Sequence, residues 1–282
     1  MTQREDTSAA YVRDLVRTGD VDRYWSALLV PEPMRRHLLA LYAFNIELAR
    51  IAEQVGEPQL GEIRLEWWRE AIDDALRGES ADHPVLIELA FAASANALPQ
   101  HTLQVMIDAR RFDLRDDPIL DFAALERYLT ATAGVVFSLG ARILGAPEAE
   151  AASVRAAAAY GLTGLMRALP YHAARGKLFV PECLLAAHGL HPDSIRDGVD
   201  NEALRTALEA MRRRASEALS GFQQAAAGLP RQTLPAFLPL ALVEPYLRKL
   251  GAPRHNPLRD IAQLNPLTRY ARIWQAFLRG RI

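Results

Sequence analysis

Any chemistry this chain performs has to come from a small set of side chains. No Asp or Glu lies between Tyr160 and Val180, while Arg167, His172, Arg175 and Lys177 fall close together there. Such a group can hold a phosphate or carboxylate through charge-assisted hydrogen bonds. The commoner place for residues of this kind is a surface ion pair. Upstream, Glu47 and Glu53 are the acidic residues of a long apolar run. Carboxylates share one helix face at i and i+4, and this spacing of six places the two on different faces. Asp108, Arg111 and Asp113 read as the charged outer edge of a helix, and His188 and His191 flank Gly189 in a predicted loop. The lone cysteine, Cys183, excludes a disulfide within the chain and a cysteine-based zinc site, and is expected to be a small buried apolar group. Neither a Gly-rich phosphate loop nor a Gly-x-Ser-x-Gly elbow is present.

The elements that must position these residues read as helices throughout. Ala, Leu, Arg and Glu dominate, all good helix formers, and no stretch alternates with period two. Pro31 and Pro33 open a long helix to about Val55, since proline suits a first helical turn. Its Leu38, Leu41, Phe44 or Asn45, Leu48 and Ala52 share one face. Before it, a helix from Ala9 to Thr18 is followed by a short one capped by Asp20 or Asp22. After it, helices are predicted over Gly61–Arg77, His83–Ala97, Pro99–Asp113, Tyr128–Leu144 (led in by a short piece capped at Asp121) and Glu148–Ala168. Pro170 bends or ends the last of these, because it offers no N–H and crowds the Met166 carbonyl. Later helices are expected over Asn201–Leu219, Pro235–Leu250 and Pro266–Leu278. Short connections favour antiparallel neighbours in one helical bundle, so a single domain over 1–282 is expected.

Composition narrows the partners. The 33 basic and 34 acidic residues leave a formal net charge of −1, which gives no overall field toward nucleic acid. Half of the residues are hydrophobic, enough for a large core. The start of the chain, with Glu5 and Asp6 and no apolar run, does not read as an export signal, and no run is long enough to span a bilayer. A cytoplasmic protein is the expectation. Lys177 and Lys249 are the only lysines, and this arginine- and alanine-rich usage is that of a GC-rich bacterial genome.

Several separate motifs, in order, resemble the squalene/phytoene synthase family. They are Asp22-Arg23-Tyr24-Trp25, Pro31-Glu32-Pro33-Met34-Arg35-Arg36, Tyr42-Ala43-Phe44, Trp67-Trp68-Arg69-Glu70 and His83-Pro84-Val85. Tyr128, Ala133-Gly134 and the stretch from Gly161 to Pro181 follow. The resemblance is clear from Asp22 to Leu190 and weaker beyond. It implies an all-α, isoprenoid-synthase-type antiparallel bundle around a central cavity, and a prenyl diphosphate transferase whose two Asp-x-x-x-Asp motifs hold Mg²⁺. Magnesium needs hard oxygen ligands, and it neutralises the departing diphosphate.

On that pattern the first aspartate pair falls on Ala49 and Glu53, with Arg50 where many relatives have a further acid. The second pair falls on Ala168 and His172, and two expected polar side chains on Gly161 and Gly164. Arg167 matches. Four carboxylates are thus reduced to one, and imidazole is a poor magnesium ligand. The Pro170-Tyr171-His172 element before Arg175-Gly176-Lys177 resembles the family's non-catalytic branch, which contains mitochondrial complex I (NADH:ubiquinone oxidoreductase) assembly factor 6 and its bacterial counterparts. That branch implies a catalytically inactive protein, without cofactor, that works with complex I subunits or other assembly factors. A transferase with an altered site, needing Mg²⁺, or a carrier of isoprenoid or lipid is the alternative. Tyr42, Asn45, Glu53, Tyr128, Arg167, His172, Arg175 and Lys177 are the candidate pocket residues, for a prenyl or lipid ligand. At the C-terminus Leu267, Tyr270, Trp274, Phe277 and Leu278 gather opposite Arg269, Arg272 and Arg279. Residues 266–282 are therefore a candidate peripheral contact with the inner membrane, or a helix that packs back on the bundle.

Overall fold

The computed structural model describes residues 3–79 and 82–282. Met1 and Thr2, in the stretch read for an export signal, lie outside the described residues. All regular structure among the described residues is helical. In chain order the helices are α1 (Gln3–Gly19), α2 (Val21–Ala27), α3 (Met34–Gln54), α4 (Pro58–Leu76), α5 (Pro84–Asn96) and α6 (Gln100–Arg110). Then come α7 (Phe122–Leu129), α8 (Val135–Ile143), α9 (Glu150–Arg167), α10 (Leu169–Ala173), α11 (Glu182–Ala187) and α12 (Pro192–Arg196). The last are α13 (Glu202–Ala225), α14 (Leu234–Phe237), α15 (Val243–Leu250) and α16 (Pro266–Arg279).

The starts follow from local chemistry. Side chains of Asp20, Asp121, Asn201 and Asn265 accept a backbone N–H of the first turn of α2, α7, α13 and α16, each satisfying a donor the helix leaves open. Pro58, Pro84, Pro170 and Pro266 occupy first turns, where their missing N–H costs nothing.

The chain divides into two compact units. The first comprises 1–115, 135–150 and 229–238. Its centre is α3 packed against α1 and α5, where Leu38, Leu41, Phe44 and Leu48 are almost wholly buried. Phe44 meets Trp68 of α4 at 5.6 Å, and Phe137 stacks on Phe237 at 5.6 Å. Two ion pairs lie inside it, one joining α3 to α5 and one local to the start of α2. Arg36 Nε and Nη2 donate to Glu88 at 2.6 and 2.8 Å, and the Ser8 hydroxyl donates to the same carboxylate at 2.5 Å. Arg23 Nη1 donates to Asp20 at 2.8 Å, and its guanidinium lies 5.6 Å from both the Tyr42 and Phe137 rings. Removing one partner of such a buried pair costs about 3–5 kcal/mol, because the other charge is stranded.

The second unit comprises 116–134, 151–228 and 239–282. A π-helical turn, Thr130–Gly134, follows α7. Gly161 of α9 lies against Leu129, and a Cβ there would overlap the leucine side chain. Gly134 is close to Ala157, 3.2 Å from where its own Cβ would stand.

Several expectations need correction. The run predicted over Pro235–Leu250 is broken by a 3₁₀ turn, Leu238–Leu242, between α14 and α15, and a further 3₁₀ turn, Arg231–Thr233, precedes α14; Pro239 offers no N–H to continue the ladder. Tyr128–Leu144 is interrupted by the π-helical turn. By contrast, His188 and His191 do bound the loop that holds Gly189: His188 follows α11, and His191 caps α12, accepting from Asp193 N at 3.4 Å. Cys183 is exposed, because Leu184 and Leu185 take the inward positions of α11. The charged edge is a network: Arg111 pairs with Glu62, with Glu66 at 2.7 Å and with Asp108 at 3.4 Å, and Arg69 pairs with Asp108.

Burial also sets a pH response. It holds His37, His83 and His255 below the ordinary histidine value of 6.5; at His37 the neighbouring Arg36 acts the same way. Folded imidazoles then resist the proton that unfolded ones accept, so stability is full above the unfolded value and declines as pH falls below about 6.5. We expect the urea midpoint to drop between about pH 7.5 and 5.5, and the drop to shrink in His37→Gln. An unchanged pH slope in that variant would contradict the assignment.

Candidate functional site

The first set of candidate residues lies on α3. Tyr42 is buried under Arg23. Asn45 Oδ1 accepts from Arg110 Nη2 at 3.2 Å, and Arg110 also holds Asp113 at 3.2 Å. Ala49 offers a methyl group where a metal ligand is expected. The Arg50 guanidinium lies along Gly19, with Nη2 3.0 Å from where a Cβ on that glycine would stand. Glu53, in the last turn of α3, is exposed. Hydrogen bonding on this helix thus ties Asn45 to an arginine of the unit's own fold.

The second set lies where α9 gives way to α10. The Ala168 N–H still reaches Gly164 O at 3.0 Å, and His172 N–H reaches Ala168 O at 2.9 Å. Pro170 between them has no N–H for Met166, and the helix is interrupted at Ala168. Arg167 Nε donates to Ala262 O at 3.3 Å, and its guanidinium sits 3.7 Å from the centre of the Tyr246 ring. Such a cation over an aromatic face contributes about 0.5–2 kcal/mol.

The rest of the second set forms an aromatic ladder. Tyr128 lies 5.6 Å from Phe179, Phe179 lies 4.9 Å from His172, and His172 lies 5.5 Å from Tyr171. Arg175 covers Tyr171 at 3.7 Å, and Lys177 stands 5.9 Å from Phe179. The His172 carbonyl accepts from the N–H groups of Arg175 and Lys177 at 3.0 and 2.9 Å, which fixes the turn that returns the chain to Phe179. The structure therefore joins Tyr128, His172, Arg175 and Lys177 through Tyr171 and Phe179, and seats Arg167 on Tyr246. Tyr171, Phe179 and Tyr246 are not among the residues that sequence reasoning singles out for a pocket. The run Pro170-Tyr171-His172 ahead of Phe179 is the one signal able to supply two of them. A small recess of about 10 Å³ touches His172, between Met166, Leu169, Leu208 and Met211, about what a single water needs.

These residues do not fit the magnesium that the fold family implies. Among the described residues no three His, Cys, Asp or Glu side chains are grouped to hold a metal ion. Ala49 and Ala168 carry no donor, and the His172 ring is engaged by two aromatic neighbours. A magnesium-assisted step has no donor set to rest on at these positions.

The C-terminal helix divides differently from the wheel. Ile273 and Ala276 are its buried residues, while Leu267, Tyr270 and Leu278 are exposed at 78%, 43% and 67%. Trp274 is half-buried between Tyr270 and Phe277, at 6.1 Å from each. No helix among the described residues is long and apolar enough to cross a membrane.

Magnesium should consequently leave stability unchanged. A ligand at a hundredfold excess over its dissociation constant would add about 2.7 kcal/mol, or several degrees in melting temperature. We expect about 10 mM MgCl₂ to move the transition by less than about 1 °C in calorimetry. A shift of about 5 °C would mean that a donor set assembles after all.

Comparison with known proteins places the geometry in a lineage. The chain is 29% identical to NADH dehydrogenase (ubiquinone) complex I, assembly factor 6 of Mus musculus, over 95% of this chain and 82% of that protein. It is 25% identical to a chloroplastic phytoene synthase of Narcissus pseudonarcissus, over 90% of this chain and 62% of that one. Its fold is shared with a squalene synthase from Alicyclobacillus acidocaldarius, with a TM-score of 0.75 at 19% identity over 99% and 97% of the two chains. A dehydrosqualene synthase shares it with a TM-score of 0.82 at 16% identity over 98% and 97%. The family model described as squalene/phytoene synthase matches residues 16–270, and with the helical architecture above it makes this chain a member of the squalene/phytoene synthase family.

Proposed function

We propose that this protein assists the assembly of respiratory complex I and carries out no prenyl transfer. One observation carries the proposal. Where the family's metal-binding aspartates are expected stand Ala49, Glu53, Ala168 and His172, and the side chains around them are committed to contacts within each unit. Releasing a diphosphate requires its negative charge to be neutralised as the bond breaks, and one exposed glutamate cannot anchor the cations for that. Likeness to the assembly factor of Mus musculus over nearly the whole chain supports the client. Fold alone does not decide activity, and the missing donors support the likeness to the assembly factor over that to the synthases. A transferase with an altered site would need its missing carboxylates from elsewhere in the chain.

Deleting the gene in its own host discriminates the readings. We expect assembled complex I on native gels, and NADH:ubiquinone oxidoreductase activity, to fall severalfold while squalene and phytoene stay at parental levels. Purified protein given farnesyl diphosphate and magnesium should release no pyrophosphate. Loss of an isoprenoid product with complex I intact would reverse the assignment.

The helix α16 supports a peripheral place on the inner membrane. Its exposed Leu267, Tyr270 and Leu278, opposite Arg269, Arg272 and Arg279 on the same helix, combine apolar insertion with attraction to anionic lipid. In cosedimentation with vesicles containing anionic phospholipid, Leu267→Glu with Leu278→Glu should bind several times less than the parent. Equal sedimentation would remove the membrane from the picture.

A further inference from the structure

One recess in the first unit lies away from the family's metal positions. It lies at the opposite end of α3, with a volume of about 660 Å³, bounded by α1, α3, α5 and the turn that precedes α3. Its walls are apolar: Val12 from α1, Leu39 from α3, Ile87 and Phe91 from α5, and Leu28 from the turn. Phe91 and Leu28 stay 52% and 43% exposed, while Leu38, Leu41 and Phe44 of the same unit are wholly buried. Burying apolar surface gains about 25 cal/mol per Å², so this recess favours an apolar occupant.

The mouth is cationic. Arg13, Arg35 and Arg36 line it together with Glu32 and Glu88. Glu88 is fully engaged by Arg36 and Ser8, which neutralises that pair. Arg35 is pinned by its Nε bond to Val30 O at 2.8 Å and lies 3.8 Å from Glu32. Arg13 stands one turn beyond Ala9 on the same face of α1, and among the described residues no carboxylate pairs with it. An apolar recess with surplus guanidinium at its rim matches a molecule with one apolar chain and one anionic head.

A volume of about 660 Å³ falls within the range of small-molecule sites, about 300–1,000 Å³.

We propose that the recess between α1, α3 and α5 binds a single-chain amphiphile, its chain against Val12, Leu39, Ile87 and Phe91 and its carboxylate or phosphate head on Arg13 and Arg35. This site is independent of complex I as the client and of the positions where metal ligands are expected. The full-length protein is titrated calorimetrically with hexadecanoate, hexadecyl phosphate and uncharged hexadecanol, each below its aggregation limit. At least one of the two anions should bind, and the one that does names the head group. Hexadecanol, and the anion with Arg13→Glu, should bind about tenfold more weakly, as expected for loss of one charge-assisted contact. Ala9→Trp, which fills the recess from α1, should abolish binding while the melting transition is retained. Should that variant fail to fold, the exposed Arg13→Glu still decides. Equal binding by hexadecanol, indifference to Arg13→Glu, binding that survives a folded Ala9→Trp, or no binding by either anion would each overturn the proposal.

Discussion

A guanidinium does not lose its proton inside a protein, so every arginine that is drawn inward has to bring its counter-charge or a ring with it. The chain has only two lysines among its 33 basic residues, and its architecture follows from this constraint. Arg23 enters with Asp20 and settles over Tyr42 and Phe137. Arg36 enters with Glu88 and brings α3 onto α5. Arg110 engages Asn45 and Asp113, and Arg167 rests on Tyr246. Carboxylates therefore serve as counter-ions to arginine, even where Glu62, Glu66 and Asp108 meet around Arg111. An acidic cluster able to hold a divalent cation would need the opposite arrangement, with several like charges held together until metal arrives.

Much of the fold was legible because its signals are local. Pro33 ahead of an apolar stripe marks α3, His83-Pro84 marks α5, and Asn265-Pro266 marks α16; each is a cap or a first-turn proline beside a periodic run. What escaped were pieces whose limits depend on neighbours. The short helices α11 and α12 have too few turns for periodicity to register, and the segmentation between Arg231 and Leu250 reflects Pro235, Pro239 and Pro245 in succession. The depletion of metal ligands was readable from residue types alone, since no geometry turns Ala49 or Ala168 into a donor. The ladder from Tyr128 through Phe179 to Tyr171 was not, because its members are far apart in sequence and meet only after the chain turns at Gly176. The recess beside α3 was equally hidden: it is made from one face each of three helices, and none of those faces is unusual by itself.

Members of one family need not share one chemistry. This chain has the architecture of squalene and dehydrosqualene synthases at under 20% identity, which speaks to backbone and not to reaction. What distinguishes it is local. Around α10 Arg167 lies on the Tyr246 ring, Arg175 on Tyr171, and His172 between Tyr171 and Phe179.

The contact between Gly161 and Leu129 has a bearing on substitution. A Cβ at position 161 would overlap a terminal methyl of the leucine, so a side chain there requires Leu129 to move aside. A larger residue at 161 alone brings crowding, and a smaller one at 129 alone leaves a void. Packing thus couples positions 129 and 161, and a change of volume at one is felt at the other.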